Sequence, residues 1–266
     1  MLLTLGPCCY AQEQSNSEYE GRDHENILSL RWGGIREYDE YLSPLRYSGQ
    51  FIALQNEWWQ GFSKSADWQH TGRVKVQGGR MFNPQYTNMA YAFGVQGGWG
   101  AHYDFNRLMA VEGLHLFAGP MLDIDLLAKE LIQNVNKPYS IDFSIDIKAY
   151  AGISYAFSGK RSSYRLRYMA ATSLAGVQFV PEYWQSYYEL TEGIVGGTVG
   201  ASHPGNHLTL RHELSFDMQF RHSAWRIGVE HEYIRHSMNN LHFQREQVCL
   251  VVGTVFNYTT KIRKMR

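Results

Sequence analysis

The chain has 266 residues, 25 acidic and 25 basic, for a formal net charge of zero, and it is rich in aromatics (14%) and Gly (25) with only 7 Pro. Charges of both signs are interspersed without a basic stripe, which argues against nucleic acid as a partner. No uninterrupted apolar run reaches the roughly 18 residues a membrane-spanning helix needs, so membrane residence would have to be through strands.

The chain opens with MLLTLGPCCYAQ, an apolar stretch with the small residues Cys9 and Ala11 before Gln12. Residues 1–11 are therefore expected to be a cleavable export signal, and the missing basic start suggests that Met1 lies inside a longer one. Cleavage would leave Cys249 as the sole cysteine, which forbids an intramolecular disulfide. Lipid anchoring at Cys8 is the weaker alternative, because Pro7 stands where a small residue is needed. Residues 12–26 (QEQSNSEYEGRDHEN) are polar and aperiodic, the signature of a flexible leader.

From Ile27 the sequence falls into ten stretches with period-two alternation. These are 27–38, 47–62, 68–80, 89–103, 108–127, 141–157, 163–179, 208–221, 224–235 and 247–259. In 141–157, Ile141, Phe143, Ile145, Ile147 and Ile153 alternate with Asp142, Ser144, Asp146, Lys148 and Ser154. In 208–221, Leu208, Leu210, Leu214 and Phe216 alternate with Thr209, Arg211, Glu213 and Asp217. A helix would scatter both sets around its circumference. Between Thr172 and Gln178 the apolar positions change parity, which reads as a β-bulge or a barrel rim. The domain scheme is thus a barrel over 27–260 followed by a basic tail, 261–266.

The connectors carry the next step. Ser63–Asp67, Asp104–Arg107, Ser158–Ser162 and His222–Ser223 are short, whereas the odd-numbered connectors read as longer, above all 181–206. Short turns at one end and long loops at the other characterise outer-membrane barrels. Aromatics near strand ends (Trp32, Trp58, Trp59, Tyr103, Tyr155, Phe157, Trp225, Phe256, Tyr258) suit an interfacial belt. The expected fold is all-β: a closed antiparallel transmembrane β-barrel of about ten strands, greasy outside and polar within.

Several segments carry a family resemblance: YLSPLRYSG (Tyr41–Gly49), LFAGPML (Leu116–Leu122), RLRY (Arg165–Tyr168), VPEYWQSYYE (Val180–Glu189) and SHPGN (Ser202–Asn206). With these the chain resembles an uncharacterised family of Bacteroidota outer-membrane β-barrels, a domain of unknown function. The resemblance implies an exported barrel and supplies no catalytic residues. One departure is the chain end, where TTKIRKMR follows the aromatics Phe256 and Tyr258 instead of a terminal aromatic.

Inward-facing charges are expected at Arg73, Lys75, Asp123, Asp125, Asp142, Asp146, Lys148, Arg165, Arg167, Arg211, Glu213, Asp217, Arg221, Arg226, Glu230 and Glu232. A barrel of ten strands has little interior space, so these should pair and fill it. A narrow small-solute channel is the alternative. A third reading is a surface hydrolase in loop 181–206, from Ser202, His203 and His207 with Glu182 and Glu189, although no nucleophile elbow is present. His231 on a strand points away from Glu230 and Glu232, which argues against a shared metal. GGRMF and GGWG lack the strand-to-helix context of a phosphate loop. No catalytic, cofactor-binding or metal site is therefore assigned, and no cofactor is expected. The expected partners are outer-membrane lipid, the outer-membrane insertion machinery and an extracellular ligand at loop 181–206, with the cell outer membrane as the location.

Overall fold

A computed structural model describes residues 19–61, 67–105, 111, 113–134, 138–159, 162–183, 185, 192, 196–220 and 223–263. The strands are β1 (Tyr19–Asp39), β2 (Ser43–Gly61), β3 (Trp68–Phe82), β4 (Met89–Asp104), β5 (Leu114–Leu131), β6 (Tyr139–Ser158), β7 (Ser163–Phe179), β8 (Val199–Ser202), β9 (His207–Gln219), β10 (Ala224–Met238) and β11 (Leu241–Arg263). They form one sheet in the order β6-β5-β4-β3-β2-β1-β11-β10-β9-β7-β8, and β6 also pairs with β7. That pairing closes the sheet, so ten strands make the wall. The short β8 only extends it beside Gly176–Phe179 of β7. Every neighbouring pair is antiparallel, as direct hairpin connections require.

β7 occupies the very span its alternation marks, 163–179. The bulge lies within it: Ile147 pairs with Ala175 and Lys148 with Ser173, leaving Leu174 as the extra residue. The barrel's ends differ from expectation. β1 begins at Tyr19, inside the segment read as a flexible leader, and β11 runs to Arg263, into the segment read as a basic tail. The two ends support each other, because Tyr19 pairs with Arg263 and His24 with Tyr258. Polar residues paired along two long strands need no apolar periodicity to stay extended. The export signal over 1–11 lies outside the described residues.

Tyr19 and Arg263 define a terminal end; connector 180–206 defines the opposite, loop end. The expected asymmetry of connectors reduces to that one segment. The first connector is only Glu40–Leu42, and the ninth is the pair Asn239–Asn240. Both asparagines have positive φ, 55° and 57°, the geometry of a type I′ hairpin turn. Asn tolerates that conformation, so β10 and β11 pair out to Met238 and Leu241.

The two faces of the wall are inverted relative to a water-soluble barrel. Trp32 is 55% exposed, Phe93 58%, Leu250 56% and Ile147 50%, whereas Lys75 is 0% and Arg31 1%. Side chains alternate in and out along each strand, so the apolar residues clothe the outside and the charges fill the lumen. At the terminal end the outer face carries a girdle of aromatics, with ring contacts Trp68–Tyr103 at 5.5 Å, Tyr155–Phe157 at 5.8 Å and Phe157–Tyr164 at 5.3 Å. Among the described side chains of the expected belt, Trp59 is the exception: it points inward and is buried.

Candidate functional site: a filled, layered lumen

The lumen is stacked in layers. At the loop end an apolar plug forms from Ile35, Tyr47, Phe51, Met81, Leu127 and Leu131, capped by Tyr41 and Leu42 of the first turn and by Val180. The cap is fastened: Tyr41 Oη donates to the Gln185 carbonyl at 2.8 Å, and Asn239 Nδ2 donates to the carbonyls of Val180 at 2.8 Å and Gly197 at 3.0 Å. One cation threads this layer. Lys129 bonds Asp39, contacts Asp142 at 2.7 Å and lies 4.3 Å over the Phe243 ring.

The middle of the barrel is a salt-bridge network. Arg31 Nη1 donates to Glu230 at 2.6 Å and Nη2 to Glu213 at 3.0 Å, and Arg211 meets the same two carboxylates at 2.6 and 3.3 Å. Lys75 reaches Glu232 at 3.3 Å and Glu230 at 3.6 Å, while Arg245 donates to Asp125 at 2.9 Å. Gln96 on β4 donates to Glu232 on β10 at 3.3 Å. Those strands are five apart in a wall of ten, so the contact spans the bore. Nearby, Asp123 accepts Arg73 at 2.5 Å and Lys148 at 2.8 Å. Gly98 makes room for this triad, because a Cβ there would lie 2.9 Å from Asp123 Oδ2 and 3.0 Å from Arg73 Nε.

The terminal-end layer mixes ions and rings. Asp217 receives Arg226 through two hydrogen bonds, 2.6 and 2.9 Å, and Glu25 receives Arg165 and Arg167, the latter at 2.6 Å. Arg167 sits 4.6 Å over the Trp59 ring, whose Nε1 donates to Glu57 at 2.5 Å. Trp59 packs edge-on against His102 at 5.0 Å and Phe117 at 5.2 Å. Among the voids between the layers are two of about 20 Å³ each, room for one water.

Every expected inward charge whose side chain is described does face the lumen. Arg221 lies outside the described residues, as does Glu189. Sequence reading missed Glu25, Arg31, Glu37, Asp39, Glu57, Lys129 and Arg245. Arg31, Glu37 and Glu57 were on marked strands whose alternation is weak; Glu25, Asp39, Lys129 and Arg245 fell in segments read as leader or connector.

The residues suspected of hydrolysis are not arranged for it. Ser202 Oγ donates to Asp146 at 2.9 Å, and His207 Nε2 contacts the other oxygen of the same carboxylate at 3.2 Å. The carboxylate thus stands between hydroxyl and imidazole, whereas activation of a serine needs the imidazole in between. His203 lies in an exposed turn, its Nδ1 accepting the Gly205 N–H at 3.1 Å, and Glu182 braces the connector through its own N–H to Gln185 Oε1 at 2.9 Å. His231 does face away from Glu230 and Glu232, meeting Glu246 on the outer wall at 3.4 Å. Among the described residues no group of His, Cys, Asp and Glu is placed to hold a metal. Cys249 is a buried free thiol.

A family model described as a protein of unknown function, DUF3316, matches residues 1–264. The chain belongs to the DUF3316 family. No curated protein matches this DUF3316 member in sequence. Among solved structures it is similar to the transport unit of the autotransporter AIDA-I from Escherichia coli, at 8% identity and TM-score 0.44, covering 94% of this chain and 92% of that one. It is also similar to the outer membrane protease OmpT from Escherichia coli, at 8% identity and TM-score 0.44, covering 92% and 99%. Neisserial surface protein A aligns at 10% identity and TM-score 0.32, covering 86% and 96%. The barrel assignment itself comes from this chain's own strand pairing.

Proposed function

We propose that this DUF3316 protein is an integral outer-membrane β-barrel with a solid lumen, a structural scaffold that holds connector 180–206 at its outward end as a surface for an extracellular ligand. The observation that carries the reading is the inverted wall: exposed Trp32, Phe93, Ile147 and Leu250 outside, fully buried and paired Arg31, Lys75 and Glu230 inside. In water such an outer surface would be an aggregation site, whereas lipid satisfies it. A closed barrel also meets the bilayer's demand that every backbone polar group be bonded internally. Export through a signal over residues 1–11 and assembly by the outer-membrane insertion machinery follow as parts of the proposal.

The test is fractionation of full-length protein followed by electrophoresis with and without boiling. Recovery in the outer membrane with heat-modifiable migration is the expected result; recovery in the soluble periplasm refutes the reading. Planar bilayer recordings should show no steady conductance.

A further inference from the structure

Seven arginines of the lumen (Arg31, Arg73, Arg165, Arg167, Arg211, Arg226 and Arg245) are all ion-paired. The other four with described side chains, Arg36, Arg46, Arg80 and Arg235, are exposed and without a hydrogen-bond or ion-pair partner among the described residues. All four point outward from the loop-end portion of β10, β1, β2 and β3, which with β11 form one continuous stretch of wall. Register places them on neighbouring rows: Arg235 opposite Gln244, Tyr38 opposite Arg46, Arg36 opposite Ser48, and Gln50 opposite Arg80.

We propose that Arg36, Arg46, Arg80 and Arg235 form a binding surface for the phosphates of an anionic lipid headgroup. The inference rests on the membrane reading above. Each arginine lies on the loop-end side of the exposed apolar outward residues Trp32, Ile52, Val76 and Val229 of its strand, toward the rim of the hydrocarbon band. A guanidinium presents a planar fork suited to phosphate oxygens, and Arg36 and Arg46, diagonal neighbours on adjacent strands, stand about 7–8 Å apart, within reach of one headgroup for two long side chains. Two carboxylates lie nearby: Glu246, opposite Arg36 on β11, is 3.4 Å from the His231 ring, and Glu40 meets the His242 ring at 2.9 Å. At the terminal end the described outward residues of the same strands include Asn26, Trp58, Trp68 and Trp225, with the imidazoles of His24 and His70 beside them.

The experiment places full-length protein in nanodiscs of phosphatidylcholine doped with phosphatidylglycerol and counts the lipid it retains on extraction, by native mass spectrometry. The parent is compared with the Arg36→Gln/Arg46→Gln/Arg80→Gln/Arg235→Gln variant, and heat-modifiable migration is recorded for both. Retention of phosphatidylglycerol over phosphatidylcholine should be at least about tenfold in the parent, taking roughly fivefold from each cation near a phosphate, and should be lost in the variant. Inorganic phosphate should not displace the retained lipid. Equal retention by parent and variant, both heat-modifiable, overturns the binding surface and leaves the membrane reading standing; displacement by inorganic phosphate also overturns it. A parent soluble without detergent overturns both. If the quadruple variant fails to assemble, the pair Arg36→Gln/Arg80→Gln must show at least partial loss of selectivity, and full selectivity there refutes the surface.

Discussion

Asp123 offers the sharpest test of a dry, ion-paired lumen. It is the one described carboxylate that bonds Arg73 (2.5 Å) and Lys148 (2.8 Å), and all three side chains are at most 3% exposed. Asp123→Asn keeps the shape and removes the charge, leaving two buried cations without a carboxylate. Breaking one buried pair costs about 3–5 kcal/mol, and this change breaks two at once, so a loss at or above the top of that range is expected. A solvated lumen would screen the same charges, and the loss would then resemble an exposed pair, about 0–1 kcal/mol. Equilibrium urea unfolding of the barrel in lipid vesicles measures the difference. A loss below about 1 kcal/mol, with parent-like salt dependence, would falsify the dry lumen.

Three further predictions follow from the layers and the inverted wall. Glu230→Gln should cost less than Asp123→Asn in the same assay, because Arg31 and Arg211 keep Glu213 and Lys75 keeps Glu232. Ile147→Arg or Phe216→Arg should block assembly in vesicles, at about 2–4 kcal/mol for a cation near the midplane, whereas Gln219→Arg at the lumen rim should assemble; equal damage would mean the faces are misassigned. Phe51→Ala should destabilise the loop-end plug by about 3–5 kcal/mol yet leave the barrel non-conducting, since the charge layer beneath is intact, and steady current through this variant would refute layered closure.

The wall was legible where one face is apolar and the other charged over many residues, as in β6 and β9. Connector lengths were not, because polar strand tips such as His236–Met238 and Leu241–Gln244 pair with each other beyond the apolar band and look like loop in sequence. The same blindness hid Glu25 and Lys129, whose partners Arg167 and Asp39 stand four strands away around the wall. Alternation reports which way a side chain points; it does not report which distant strand it will meet. That is also why Ser202 and His207 looked like candidate chemistry: their shared attachment to Asp146, from β6, is a property of the closed barrel.

The place of β1 in this network bears on how the barrel closes. β1 supplies Glu25 to the arginines of β7, Arg31 to the acids of β9 and β10, and Asp39 to Lys129 of β5. It is joined to its neighbour β11 only by pairing between the two extremes of the chain. An open sheet lacking that last seam would part Glu25 from Arg167 and Arg31 from Glu213 and Glu230. Closing the seam and neutralising the interior are then one event. A barrel built this way has no comfortable half-closed form, and its assembly should proceed as a single cooperative step that waits on the last strand to arrive.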